Sequence, residues 1–93
     1  MEDQTFDDVF DALADTPAEA ANMKARADLL AAVIDRVKSW ELPQSSAAER
    51  LGITRPRLND LLRGKLSKFS LDALVNLVTA AGLTLEIKVS SAA

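Results

Sequence analysis

Apolar residues recur at helical spacing along most of this chain and then, near its end, switch to strict alternation. In residues 5–14, Phe6, Val9, Phe10 and Leu13 follow the i, i+3, i+4, i+7 stripe of a short amphipathic helix, with the acids on the other side. A longer element follows. "TPAE" at 16–19 has the form of a capping box: Thr16 as N-cap, Pro17 at the first helical position, where its missing N–H costs nothing, and Glu19 reaching back to the cap. With no Gly or Pro before Pro43, the helix is expected to run to about Trp40, roughly 36 Å at 1.5 Å per residue. Its inner seam is read as Met23, Ala27, Leu30, Ile34 and Val37.

Pro43 is expected to end that helix. "QSSAAERLG" then reads as a two-turn helix closed by Gly52, where a left-handed residue is wanted. "ITRPRLNDLLRG" reads as the next helix, with Thr54 as N-cap, Pro56 in the first turn, Gly64 as terminator, and Leu58, Leu61 and Leu62 facing inward. Ser70 caps "LDALVNLVTAAG", whose Leu71, Leu74, Val75 and Val78 repeat at helical spacing until Gly82. In "LTLEIKV", residues 83–89, Leu83, Leu85, Ile87 and Val89 alternate with Thr84, Glu86 and Lys88, the two-residue period of a half-buried strand. A lone strand leaves its backbone donors and acceptors unpaired, so its expected partner is the same strand of a second copy, and the expected assembly a homodimer. The alternative is a tail packed on the helices.

At 93 residues, with 48% hydrophobic and 27% charged residues, the chain has the composition and size of one small globular domain. It holds no cysteine and no histidine. Disulfides, thiolate nucleophiles, zinc–thiolate sites and histidine chemistry are therefore excluded, no metal or cofactor is expected, and a non-enzyme is the expectation. No stretch reaches the roughly 18 apolar residues of a membrane span, and the acidic start is unlike a secretory leader, so a cytoplasmic protein with no membrane partner and no small-molecule substrate is expected.

Charge refines this picture. The net charge is −3, but residues 1–41 hold ten acids against four bases, whereas residues 42–93 hold four acids against seven bases. Within 44–69, Arg50, Arg55, Arg57, Arg63, Lys65 and Lys68 face only Glu49 and Asp60. Such a split suits a polyanionic partner for the basic half or, more blandly, a solvated charged surface.

Two short helices joined at a glycine turn are the outline of a helix-turn-helix, here about 44–64. Small Ala48 falls at the close approach of the two helices, and Ala47, Leu51, Ile53, Leu58 and Leu61 are the inward positions. The outer face of the second helix then carries Arg55, Arg57, Asn59 and Arg63, with Lys65 just beyond. Arginine pairs bidentately with guanine or phosphate and asparagine reads adenine, so these types suit a major groove. Gln44 and Thr54 occupy helix N-termini, which approach phosphates through backbone N–H groups and the helix dipole, and Ser45 and Pro56 beside them join the candidate DNA contacts. Arg57 and then Arg55 are the leading base-contact candidates, and Arg63 and Lys65 are read as phosphate contacts or a C-terminal helix-dipole pair; Asp60 is expected to partner an arginine, and Arg50 to be solvated.

The run "LPQSSAAERLGITRPRLNDLLRGKLSKFSLDALVNLVTAAGL" resembles the DNA-binding domain of Xre/Cro-type helix-turn-helix proteins. "LGITRPRLNDLLRGKLSKFSLDAL" is most similar to the branch of HigA-type antitoxins, and "VFDALADTPAEAANMKARADLL" resembles that branch's N-terminal extension. The resemblance implies a predominantly α, lambda-repressor-like fold of four to five helices: an acidic extension over 1–15, a helical domain over 16–82, and a dimerisation strand and tail over 83–93. It further implies a repressor that binds as a homodimer to a palindromic operator in double-stranded DNA, its own operon's, and neutralises a RelE/HigB-type toxin RNase. The family's recognition positions map onto Thr54, Arg55, Pro56, Arg57 and Asn59, with Gln44 at the phosphate-contacting start of the first helix. Position 55 departs from the pattern, being commonly glutamine in relatives, which leaves open whether Arg55 meets a base or a phosphate. A stand-alone regulator, or an inhibitor of a toxin whose helix-turn-helix is only scaffold, are the alternatives. The acids of residues 2–15 suit either docking on a basic toxin or complementing a helix dipole.

Overall fold

The computed structural model describes residues 16–92, so the helix expected over 5–14 lies outside the described residues. The first described element, α1 (Pro17–Trp40), begins at Thr16, whose hydroxyl accepts from the Glu19 N–H at 3.1 Å. Pro17 stands where a helix donates no N–H. The end of α1 differs in kind from what the sequence suggests. Trp40 is the last helical residue, and Glu41, at φ 53°, turns the chain through the left-handed region and donates its N–H to the Lys38 carbonyl. Glu41 is the only non-glycine with positive φ among the described residues. Pro43 then acts less as a breaker than as the entry residue of α2 (Gln44–Leu51).

Gly52, at φ 75°, closes α2: its N–H reaches the carbonyls of Ala48 and Glu49, and Ile53 N–H bonds Ala48 as well. α3 (Arg55–Leu62) starts at Thr54, whose hydroxyl accepts from Arg57 N–H at 3.2 Å. A one-turn 3-10 helix (Leu66–Lys68) follows, which the apolar pattern does not show. α4 (Leu71–Ala80) is capped by the Ser70 hydroxyl, accepting from Ala73 N–H at 3.1 Å.

α1 lies chiefly against α4 and touches α3 and the 3-10 turn; α2 lies chiefly against α3. The core they enclose is built on Val33, Leu58, Leu61, Leu74 and Phe69, each at most 1% exposed. Two inner faces differ from expectation. On α1 the fully buried residue is Val33, whereas Ala27 and Ile34 sit at the half-buried margin. On α4 Leu77 is buried, while Leu71 and Val75 are half-buried beside the C-terminal segment. Leu66 and Phe69, which belong to no periodic run, complete the core from the α3–α4 connection.

The strand expected over 83–89 is not formed: residues 83–92 carry neither helix nor ladder. Leu83 donates its N–H to Val78 at 3.0 Å and rests against the core, and among the described residues no backbone–backbone hydrogen bond engages residues 84–90. A strand exists only through a neighbour, and the described residues offer none.

Candidate nucleic-acid interface

Helix α3 is fixed by its buried side. Leu58 and Leu61 are wholly enclosed, and Leu62 is half-buried against the same core. The opposite side follows from helical geometry: Arg55, Asn59 and Arg63 stand four residues apart, with Pro56 beside them, and all four are exposed. This face points two guanidinium groups and one carboxamide away from the body. Among the described residues, no ion pair or side-chain hydrogen bond engages any of the three. They are available to a partner.

Arg57 is placed otherwise. Its guanidinium carbon lies 4.2 Å from the centroid of the Phe69 ring, and its Nη1 donates to the Lys68 carbonyl at 2.8 Å. The side chain expected to lead base reading is turned toward the α3–α4 connection. From the other side, Arg26 of α1 donates to the carbonyls of Leu66 at 3.3 Å and Phe69 at 3.1 Å, with its Nε held by Asn22 at 2.9 Å. Two arginines from different helices thus converge on the carbonyls of one connection: those of Lys68 and Phe69, and that of Leu66, which also accepts the Phe69 N–H of the 3-10 turn. This bridging role of Arg26 shows no local signal in the sequence, because the carbonyls it meets lie 40 and 43 positions away.

Lys65 is half-buried and lies 3.5 Å from Asp60, so the partner of Asp60 is this lysine rather than an arginine. Arg50 is exposed but not merely solvated, since its guanidinium carbon lies 4.3 Å over the Trp40 ring and ties the end of α1 to α2. Lys68 stands exposed on the 3-10 turn that Arg57 holds, and adds a cation to the same basic region.

The two helix starts are unequal. Thr54 engages the Arg57 N–H of α3 with its own hydroxyl, whereas Pro43 gives α2 no side-chain cap, and Gln44 and Ser45 are exposed there. An uncapped first turn leaves N–H groups directed outward, the arrangement that accepts an anion such as a phosphate.

A short α2, a turn at Gly52 and a second short helix whose outer face is polar and cationic make up the geometry of a helix-turn-helix. A family model described as a helix-turn-helix domain matches residues 12–90. The chain belongs to this helix-turn-helix family. Among curated proteins, no match to the chain is found. In this domain α2 is the supporting helix and α3 the recognition helix, and the extended match takes in α1, α4 and most of the C-terminal segment. The helix-turn-helix assignment carries DNA binding and a regulatory role at the level of the family. No helix among the described residues is long and apolar enough to cross a membrane.

Proposed function

We propose that this protein is a sequence-specific DNA-binding transcriptional regulator that inserts α3 into the major groove. The observation that carries the reading is the exposed stripe of Arg55, Asn59 and Arg63 on a helix pinned from behind by Leu58 and Leu61. Arg55 and Asn59 face base edges, where guanidinium and carboxamide groups discriminate guanine and adenine. Arg63, Lys65 and Lys68 flank them as phosphate contacts, and the uncapped start of α2 at Gln44 and Ser45 receives a further phosphate. Arg57 acts from behind, by holding the connection that orients α3.

The regulator works without chemistry of its own, through a homodimer that reads a palindromic site. Residues 83–89 supply the pairing edge, a reading supported by the alternation of the sequence and by the exposure of Ile87 and Val89. Within the family we place it as the antitoxin of a RelE/HigB-type toxin, repressing its own operon. The support for that finer reading is the likeness of "LGITRPRLNDLLRGKLSKFSLDAL" to the HigA-type branch.

Binding is tested by selecting sites from a random duplex library and measuring affinity by fluorescence anisotropy. Arg55→Ala combined with Asn59→Ala should abolish preference for the selected site while the circular dichroism spectrum is unchanged; undiminished preference would remove α3 from the groove. The antitoxin role is tested by co-expression with the product of a neighbouring small basic reading frame. Rescue of growth and a stable complex support it, and the absence of any such frame points to a stand-alone regulator.

A further inference from the structure

The C-terminal segment leaves the fold with an unusual surface. Leu83 is anchored, but exposure climbs along the alternating apolar positions, from 36% at Leu85 to 77% at Ile87 and 88% at Val89. Leu85 and Ile87 line a groove of about 430 Å³ with Leu29 of α1 and Leu71 and Val75 of α4, and the charged Asp28, Glu86 and Lys88 line it as well. Leu29, Leu71 and Val75 are the half-buried residues that the core leaves incompletely covered. Between the apolar positions stand Glu86 and Lys88, both exposed and, among the described residues, without an ion-pair partner.

Charge and alternation together restrict how two copies of this edge can meet. In an antiparallel pair, residues directly opposite share a face, so an odd shift sets apolar residues against polar ones and is excluded. The even registers differ in charge. An axis at Glu86 sets that carboxylate against itself, an axis at Lys88 sets two ammonium groups against each other, and an in-register parallel pair does both. Axes at Leu85 or Val89 set both charges opposite neutral residues, whereas an axis at Ile87 alone places each Glu86 opposite the other chain's Lys88, sets Leu85 opposite Val89, and stacks Ile87 on its own copy.

We infer that two copies pair antiparallel through residues 84–90 with the two-fold axis at Ile87, joined by two reciprocal Glu86–Lys88 pairs. This rests on the homodimer proposed above and specifies its register. The pairing gives the open backbone groups of the segment their partners, and it brings the second copy's Val89 beside the groove of Leu29, Leu71 and Val75, closing apolar surface that one chain leaves open.

The chain has no native cysteine, so single cysteines report the register without interference. Glu86→Cys, Ile87→Cys and Lys88→Cys are oxidised mildly and the disulfide dimer is timed on non-reducing gels. Opposed antiparallel positions lie within disulfide reach, so Ile87→Cys should cross-link about tenfold faster than either neighbour alone, while Glu86→Cys mixed with Lys88→Cys should cross-link to each other. Charge variants give an independent readout by sedimentation equilibrium. Glu86→Lys and Lys88→Glu should each weaken the dimer roughly tenfold, and the double variant, or an equimolar mixture of the two single variants, should recover it.

Self-linking fastest at position 86 or 88, equal rates at all three, or a Lys88→Glu variant that dimerises like the parent would each overturn this register. A dimer with another register leaves the dimeric reading standing, whereas a wild-type chain that stays monomeric sinks both. A cross-linked dimer that fails to bind any duplex counts against the recognition helix alone.

Discussion

Arg57 lies across the buried ring of Phe69, 4.2 Å from its centroid, and spends a donor on the Lys68 carbonyl at 2.8 Å. This contact ties the recognition helix to the connection that leads into α4. It also divides the polar residues of α3 by task, since Arg55, Asn59 and Arg63 face outward and Arg57 holds their platform. Replacing Arg57 by alanine removes a cation–π contact and a charge-assisted hydrogen bond, with an expected loss of about 1–2 kcal/mol. Thermal denaturation should show it, at about 4–8 °C per kcal/mol for a domain of this size. A double-mutant cycle with Phe69→Leu should return a coupling of about 0.5–1 kcal/mol, and strictly additive losses would show that the stacking contributes nothing.

Glu41 holds a left-handed conformation at φ 53° that a side chain disfavours. Glycine adopts it freely but has more unfolded-state entropy to lose, so the two effects partly cancel. Glu41→Gly is expected to stabilise the domain by about 0.5 kcal/mol, seen as a small rise in denaturation midpoint with an unchanged denaturant slope. A fall in the midpoint would mean that the turn is not strained.

Ionic strength separates groove binding from adventitious attraction. If the dimer neutralises on the order of six phosphates, log affinity should fall with log salt at a slope near −5, and Arg63→Ala should reduce that slope by about two, one contact per protomer. A slope near zero contradicts the electrostatic part of the model.

The proposed dimer dictates the shape of the site. Two recognition helices related by a two-fold axis require inverted half-sites about 34 Å apart, or a multiple of that distance. Hydroxyl-radical footprinting of a selected site should show two protected patches on one face of the duplex. A single continuous patch without symmetry would indicate a monomeric reader.

Most of the helical architecture is legible from local pattern, for a definite reason. Thr16, Thr54 and Ser70 cap the helices that follow them through bonds to N–H groups three residues ahead, and Gly52 turns the chain where only a left-handed residue closes the helix. These are short-range events, and so is the stripe of Leu58 and Leu61 that decides which side of α3 faces out. The exposed Arg55, Asn59 and Arg63 follow from that stripe alone. Glu41 escaped the same reading because nothing in its side chain announces a left-handed turn.

What only the tertiary structure decided is long-range pairing. Whether an arginine reaches outward or folds back depends on what lies within its span: Arg57 finds Phe69 and Lys68, Arg26 finds carbonyls 40 and 43 positions away, and Arg50 finds Trp40. Leu66 and Phe69 are core residues without a period, buried because a connection crosses the end of the bundle. The alternation in residues 83–89 promised a strand, but hydrogen bonding in a sheet belongs to two segments at once. The alternation and the order of its charges are local and legible, whereas a ladder needs a second segment, and the described residues supply none.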